Sequence, residues 1–257
     1  MNSKRTMKKA TFKAACIQFD TEEGNFEKNY NKFLSLFNLT ENAKLIVLPE
    51  LFLTGFCYNK LTEAAVFSEK VVSHLLEFSK GLNAVFVYTV IEKVNNSFFN
   101  SIHVVENGKL LLSRPKIKLF SPMEEDKYFK PGSIKDLKTV ETSIGTIAPI
   151  VCFELRFFEL FLKLLKQEAE IFTVSAQWGK ARREHWEILT AARAIETQRF
   201  IVAANGSGKM AGCSAIIDPW GRTLAKTYDG DSIISAQIEL SKIKQAEKKL
   251  PLRKINE

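Results

Sequence analysis

The stretch Ile147-Ala-Pro-Ile-Val-Cys-Phe-Glu-Leu-Arg-Phe157 changes its pattern at Cys152. Before that residue, Ile147, Ile150 and Val151 belong to an apolar run of strand length. After it, from residue 155 to 167, apolar residues crowd as they do on a helix. A chain patterned this way places Cys152 where a strand ends and a helix begins. The positive end of a helix dipole lowers the pKa of a thiol held there below its free value of about 8.5, which is one route to a nucleophile. The competing reading is a core cysteine, because free Cys is among the most buried residue types.

Strand-like and helix-like patterns alternate along much of the chain. Residues 12–19 and the apolar run 45–48 read as strands, with an amphipathic helix over 24–38 between them that lines up Phe26, Tyr30, Phe33, Leu34 and Phe37. A second helix covers 62–80. Strands follow at 84–91, 97–105 and 109–113, and Asn107-Gly108 is a strong hairpin signal between the last two. Residues 121–133 read as a polar loop, and 137–142 with 146–151 as a strand pair around Gly145. Beyond Cys152 the pattern gives strands at 171–175 and 200–204 with a helix over 184–198 between them. A hairpin of 211–217 with 222–225, a last strand over 232–238 and a short helix complete it. No Pro-, Gly- or Ser-rich break divides the run, so a single domain is expected over 10–245, with a basic arm at 1–9 and a basic tail at 246–257. Helices between some strands and hairpins between others predict an α/β protein whose mixed sheet is covered by helices.

Composition narrows the function. Hydrophobic residues make up 46% and charged residues 26% of 257 residues, ordinary for a globular protein able to bury a sizeable core. Net charge is +8, from 37 Lys and Arg against 29 Asp and Glu, and the basic residues are scattered apart from the termini. That argues against a nucleic-acid stripe. Cys16, Cys57, Cys152 and Cys213 lie far apart with no C-x-x-C, which argues against a zinc site or a disulfide framework. The basic start carries no apolar segment of a secretory signal, and no uncharged apolar run approaches the roughly 18 residues of a membrane span. A cytoplasmic protein without metal or cofactor is expected.

Three reactive side chains follow strands: Glu50 after Leu45-Ile-Val-Leu-Pro49, Lys116 after Leu110-Leu-Leu-Ser-Arg-Pro115, and Cys152 after its own run. Open α/β sheets place ligands outside the carboxyl ends of their strands. The set suits attack on an amide or nitrile carbon, with Cys152 as nucleophile and Glu50 as the group that takes and returns the proton. Lys116 and the backbone N–H after Cys152 would stabilise the developing oxyanion. No G-x-S-x-G is present, and His185, the alternative partner for a cysteine, sits in an otherwise ordinary helix.

These segments resemble the nitrilase superfamily of carbon–nitrogen hydrolases. Leu48-Pro-Glu-Leu-Phe-Leu-Thr-Gly-Phe56 is similar to its Glu motif, Arg114-Pro-Lys-Ile-Lys-Leu-Phe120 to its Lys motif, and Val151-Cys-Phe-Glu-Leu-Arg-Phe-Phe-Glu-Leu160 to its Cys motif. Likeness continues through Ser175-Ala-Gln-Trp-Gly179, His185-Trp186, Ala204-Asn205 and Ile217-Asp-Pro-Trp-Gly221. The resemblance implies an αββα sandwich, a Glu50–Lys116–Cys152 triad, a thioester intermediate, and hydrolysis after release of ammonia or an amine. It implies a second Glu as well, matched by Glu125 with Glu124 as the adjacent contender. Departures are Phe153-Glu154 where Tyr-Asp is usual, Lys118 where His is common, and a short Gly206–Met210 loop. Residues 177–186 resemble the ω-amidase-like branch, which implies a carboxylate clamp at Arg182 and a pocket wall at Trp178, with Phe153 as a further substrate contact.

The helix after Cys152 carries Arg156, Glu159, Lys163 and Lys166 in one narrow stripe and is otherwise apolar, more than one sheet contact needs. A homodimer through this helix is expected, as the resemblance also implies. Hydrolysis of a small linear amide is the leading expectation. Acyl transfer or nitrile hydrolysis on the same scaffold, and a non-catalytic interaction protein, are the alternatives.

Overall fold

The computed structural model describes residues 11–252, so the arm at 1–9 and the last part of the tail, 253–257, lie outside the described residues. Two six-stranded sheets form its middle. The first runs in the order β12 (Ser232–Glu239), β1 (Thr11–Gln18), β2 (Leu45–Val47), β3 (Val85–Val94), β4 (Ser97–Glu106) and β5 (Lys109–Pro115). The second runs β11 (Thr223–Lys226), β10 (Ala215–Ile217), β9 (Phe200–Asn205), β8 (Ile171–Ala176), β7 (Gly145–Val151) and β6 (Val140–Thr142). In each sheet three neighbouring strands, β1–β2–β3 and β7–β8–β9, pair in parallel and every other pairing is antiparallel. Central parallel strands are covered on both faces, which is why 45–48 and 200–204 are unbroken apolar runs and β8 is buried along its whole length.

Alternation along the strands sorts their side chains into layers. Ala14, Cys16, Leu45, Val47, Val85 and Val87 share a core with residues of the second sheet, between the two sheets. Their neighbours Ala15, Ile17, Ile46, Leu48 and Phe86 face Phe33 and Phe37 of α1 (Phe26–Phe37) and Val71 and Leu75 of α2 (Leu61–Leu82). The second sheet is covered by α4 (Phe158–Leu165) and α5 (Arg183–Thr197), with the Phe161 ring of α4 tilted against Phe172 of β8 at 4.8 Å. The result is the αββα sandwich. The turn at Asn107 and Gly108 has both residues at positive φ, 49° and 73°, as a two-residue hairpin requires.

Three local expectations are corrected. The polar loop 121–133 holds a short helix, α3 (Glu125–Tyr128). The helix expected over 155–167 is divided: a 3-10 turn spans Cys152–Arg156, and α4 begins only at Phe158. Residues 211–214 are not strand, because β10 starts at Ala215. The last helix, α6 (Ser241–Lys249), takes up the first part of the basic tail. On α4, Leu160, Phe161 and Leu164 are buried, so much of its apolar surface is spent within the chain. Leu162 stays 43% exposed, as do Ile188 and Ile195 of α5 at 65% and 53%.

Candidate active site

Strand direction brings the reactive groups together. β3 and β4 are antiparallel, as are β4 and β5, so β5 leaves its sheet in the same direction as β2 and β3. Glu50 and Lys116 therefore emerge at one end of the first sheet, Cys152 follows β7 of the second, and the Glu50 N–H donates to the Ala176 carbonyl at the end of β8 (3.3 Å). In the turns that carry Glu50 and Cys152, the non-glycine residues Leu51 and Cys152 have positive φ, 44° and 42°. Such a conformation costs about 1 kcal/mol or more and persists where the surroundings enforce it. No glycine marks either turn in the sequence.

A cavity of about 390 Å³, counting the space at its open side, occupies this junction. Glu50, Lys116, Glu125, Cys152 and Gln177 supply its central polar lining, and Phe56, Phe120, Met123, Phe153 and Trp178 its apolar wall. Arg156 and Arg182 add two cations. Every site residue expected from the sequence thus borders one space. His185 does not: it meets Arg156 instead, Nδ1 to Nη2 3.0 Å.

Lys116 is the hub. Its ammonium donates to Glu50 Oε1 at 2.8 Å and to Glu125 Oε2 at 2.7 Å, and all three side chains are at most 1% exposed. Of the two candidate glutamates at 124 and 125, only Glu125 enters the cluster. Glu124 pairs with Lys127 on the surface. Asn100, which the sequence reading missed, donates from Nδ2 to Glu50 Oε1 (2.8 Å) and to Glu125 Oε1 (3.0 Å). Its one sequence signal is a buried amide in the middle of β4, where Asn is disfavoured. Glu50 Oε1 is therefore saturated by two donors. Oε2 accepts only the Gln177 N–H (3.2 Å), which leaves it a free lone pair in the cavity that Cys152 also lines. Gln177 is held in turn by its Nε2–H donating to the Glu50 carbonyl (3.0 Å). Gly206 packs so closely on it that an added Cβ would fall 2.1 Å from Gln177 Oε1.

Charge in this dry cluster is unequally shared. Burial raises the Glu50 pKa, and the neighbouring Glu125 adds to the rise while Lys116 opposes it. For Lys116 burial works against the charge, but two carboxylates outweigh it and raise its pKa. One lysine serves two acids, so the lysine is over-compensated and Glu50 under-compensated. Cys152 is pushed up, first by burial and then by Glu50, against the pull of Lys116 and the Gln177 N–H. The expected lowering by a helix end is corrected here. The turn at 152–156 is not an α-helix, and α4 starts beyond it, so its dipole acts from too far away. The resting sulfur is therefore a thiol, with the Glu50 carboxylate among the groups that hold its proton on.

The wall residues are also positioned by contacts. Trp178 is buried, its N–H donating to Asn205 Oδ1 (2.7 Å) and its Nε1–H to the Arg182 carbonyl (2.7 Å). The Arg182 guanidinium lies over the Phe120 ring at 5.0 Å, and Phe153 packs on the same ring at 5.0 Å. Lys118, where His is common in the resemblance, sits over Phe157 and 3.8 Å from Glu159. Among the described residues no three His, Cys, Asp or Glu side chains are grouped to hold a metal ion.

Glu154 ties two of these turns together. It forms a two-pronged pair with Arg114 (2.8 and 2.9 Å), both side chains fully buried, and accepts the N–H groups of Ile117 (2.6 Å) and Val151 (2.9 Å). Burial alone would raise the Glu154 pKa, but Arg114 outweighs it and holds the carboxylate below its usual range. Glu154→Ala strands a buried guanidinium and is expected to cost about 3–5 kcal/mol. At about 2–4 °C per kcal/mol that lowers Tm by roughly 10 °C in a thermal melt at pH 7. The stabilisation is present above the unfolded value of about 4.3 and lost as pH falls through the lower folded value, so the gap between wild type and variant closes in melts toward pH 3.

The carbon–nitrogen hydrolase family model matches residues 13–248. A 2-oxoglutaramate amidase of Bacillus subtilis is 30% identical over 250 residues, 93% of this chain and 95% of that protein. A deaminated glutathione amidase of Mus musculus is 36% identical over 138 residues, 51% of this chain and 42% of that one. A solved CN-hydrolase superfamily protein of Xanthomonas campestris, with an arsenic adduct in its active site, superposes with a TM-score of 0.86 at 23% identity, covering 94% of this chain and 96% of that one.

Proposed function

Because the chain belongs to the carbon–nitrogen hydrolase family, we propose that it hydrolyses a small linear amide bearing a carboxylate, with Cys152 as nucleophile, Glu50 as base and Lys116 as the cation for the oxyanion. The observation that carries this reading is the ammonium of Lys116 held between Glu50 and Glu125, 2.8 and 2.7 Å away, in the same cavity that Cys152 borders. The carboxylate on the substrate is supported by Arg182 in the cavity wall and by the amidase of Bacillus subtilis, whose named substrate is an ω-amide with a carboxylate.

The chemistry follows the proton. Glu50 Oε2 takes the thiol proton as Cys152 Sγ bonds to the amide carbon. The cluster keeps its total charge, while the negative charge moves from Glu50 to sulfur and on to the substrate oxygen beside Lys116 and the Phe153 N–H. Glu50 then returns the proton to the nitrogen, the C–N bond breaks, and ammonia leaves a thioester on Cys152. Water, deprotonated by Glu50, cleaves the thioester to the free acid and restores the thiol. Asn100 and Glu125 keep Lys116 and Glu50 in register throughout; the amide of Asn100 occupies Oε1, so the moving proton is directed to Oε2.

The test is a screen for ammonia over ω-amides such as 2-oxoglutaramate, with the free acid measured alongside. One ammonia per acid supports hydrolysis. Retained ammonia stoichiometry with a new adduct when an amine is added would shift the reading to acyl transfer.

A homodimer is part of the same proposal, supported by exposed Leu162, Ile188 and Ile195 on the outer helices. Light scattering at micromolar concentration is expected to give twice the chain mass; a monomer mass would refute it. No helix among the described residues is long and apolar enough to cross a membrane, and the four unpaired cysteines support a reducing, cytoplasmic location.

A further inference from the structure

Glu50 and Lys116 follow strands of the first sheet and Cys152 a strand of the second, so the chemistry needs the two sheets held in register at one end. Glu50 is tied across directly. Its N–H donates to the Ala176 carbonyl, and Gln177 donates to it twice. The backbone of Lys116 is bonded elsewhere. Its N–H donates to the Asn100 carbonyl (2.7 Å) and its carbonyl accepts the Gly132 N–H (2.8 Å), which fastens it to β4 and to the loop after α3.

The buried Arg114–Glu154 pair makes the tie from Lys116 to the second sheet. Glu154 Oε1 accepts the N–H of Ile117, the residue after Lys116, and Oε2 accepts that of Val151, the residue before Cys152. From the other side Arg114 Nη1 donates to the carbonyl of Pro115, the residue before Lys116 (3.0 Å), and Nη2 to that of Pro149 in β7 (3.2 Å). The pair thus brackets Lys116 on both sides and grips the strand that ends at Cys152. Apolar side chains of similar volume often fill such a space with equal or greater stability. What the fork adds is fixed geometry, two parallel bonds between planar groups. Each carboxylate oxygen carries one turn, so an amide, with a donor in place of one oxygen, holds only one of them.

We propose that Arg114 and Glu154 are positioning residues that act as one unit: their fork sets the distance between the Cys152 sulfur and the Lys116 ammonium, and so governs the rate of the reaction rather than the binding of substrate. This rests on the amidase reading and deepens it, because the oxyanion forms on the carbon bonded to that sulfur and must meet that ammonium. Neither Arg114 nor Glu154 is among the described residues that line the cavity, so both act through the groups they hold. A displacement of about 1 Å between reacting groups can cost about 10²-fold in rate.

The test uses the double variant Arg114→Met with Glu154→Gln, which leaves no unpaired charge, nearly keeps the volume, and breaks the double hold. On any amide that wild type turns over, kcat is expected to fall by about 10–100-fold with KM within about threefold, in protein shown folded by its melt and assayed well below its Tm. A kcat within about threefold of wild type, or a loss that lies in KM alone, overturns the proposal. Should the double variant not fold, Arg114→Lys takes its place: the charge stays beside Glu154, the fork is lost, and the same split between kcat and KM is expected. A second readout needs no turnover. Butyraldehyde adds to a thiol, the sulfur bonding to the carbonyl carbon and the thiol proton passing to the oxygen, which then lies where the oxyanion would. Calorimetry of butyraldehyde, with Cys152→Ala as the blank, is expected to show binding by wild type that depends on the sulfur, and a Kd raised in the variant by a factor similar to the fall in kcat. A pair that serves only the fold would leave that Kd unchanged in folded protein, so an unchanged Kd overturns the proposal, as does the absence of binding that depends on Cys152. If amides are hydrolysed and the variant matches wild type, the positioning fails and the amidase reading stands. If no amide releases ammonia, the amidase reading fails and the calorimetry still decides the positioning.

Discussion

Replacing Cys152 with alanine abolishes ammonia release, lowering kcat by at least about 10⁴-fold on every amide that wild type turns over, because no second group can form the covalent intermediate. The same substitution at the other cysteines tests whether position or thiol chemistry matters. Cys16 lies between the sheets and its thiol is pushed up by burial alone. Cys57 and Cys213 are pushed up to about 11, each mainly by burial. Cys152 is also pushed up, so resting acidity does not single it out. What singles it out is the cavity it borders together with Glu50 and Lys116. Alanine at 16, 57 or 213 is accordingly expected to leave turnover within about threefold at a temperature where each variant is folded, since buried Cys behaves there as a small apolar residue. Coupled-enzyme detection of ammonia over the four variants checks this.

Glu50→Gln is the second large effect. Glutamine keeps the shape and an oxygen for Lys116, and Lys116 keeps Glu125, so the variant folds with its hub still paired. It cannot take the thiol proton, and kcat is expected to fall by about 10²–10⁴-fold with KM little changed. The pH profile separates loss of a base from misplacement. In wild type Glu50 must be ionised, and its pKa is raised by burial. Activity therefore falls as pH drops through a value above the usual carboxylate figure of about 4.3. Lys116 is raised, so it stays charged as pH rises through the neutral range. In Glu50→Gln the acid limb disappears and the residual rate is flat across it. A variant that keeps the limb would show that another group is the base.

Some of this site could be read from residues alone, and the reason is local. Pro49-Glu50, Pro115-Lys116 and Val151-Cys152 each follow an apolar strand run, and the ends of strands are where a sheet exposes chemistry. The parallel centres of both sheets announced themselves through runs such as 45–48, because strands covered on both faces lose their polar alternation. Other parts depend on assembly. Asn100 and Gln177 reach Glu50 from separations of 50 and 127 residues, and Arg114 reaches Glu154 from 40, which no local pattern encodes. α3, four residues long, is too short to show a helical period, so residues 121–133 looked like loop although Glu125 is fully buried within them. The turn at Cys152 was hidden for another reason. Its positive φ falls on a residue type that gives no warning of it, and the apolar spacing that suggested one helix from 155 onward does not register the break at Phe157.

The central claim is a covalent bond between the substrate's acyl carbon and one sulfur. Wild-type protein mixed with an ω-amide, quenched in acid within one turnover and digested, is expected to carry the acyl mass on the peptide containing Cys152 and on no peptide containing Cys16, Cys57 or Cys213. Ammonia released in that same turnover with Cys152 unmodified, or with the acyl group on another residue, would contradict it.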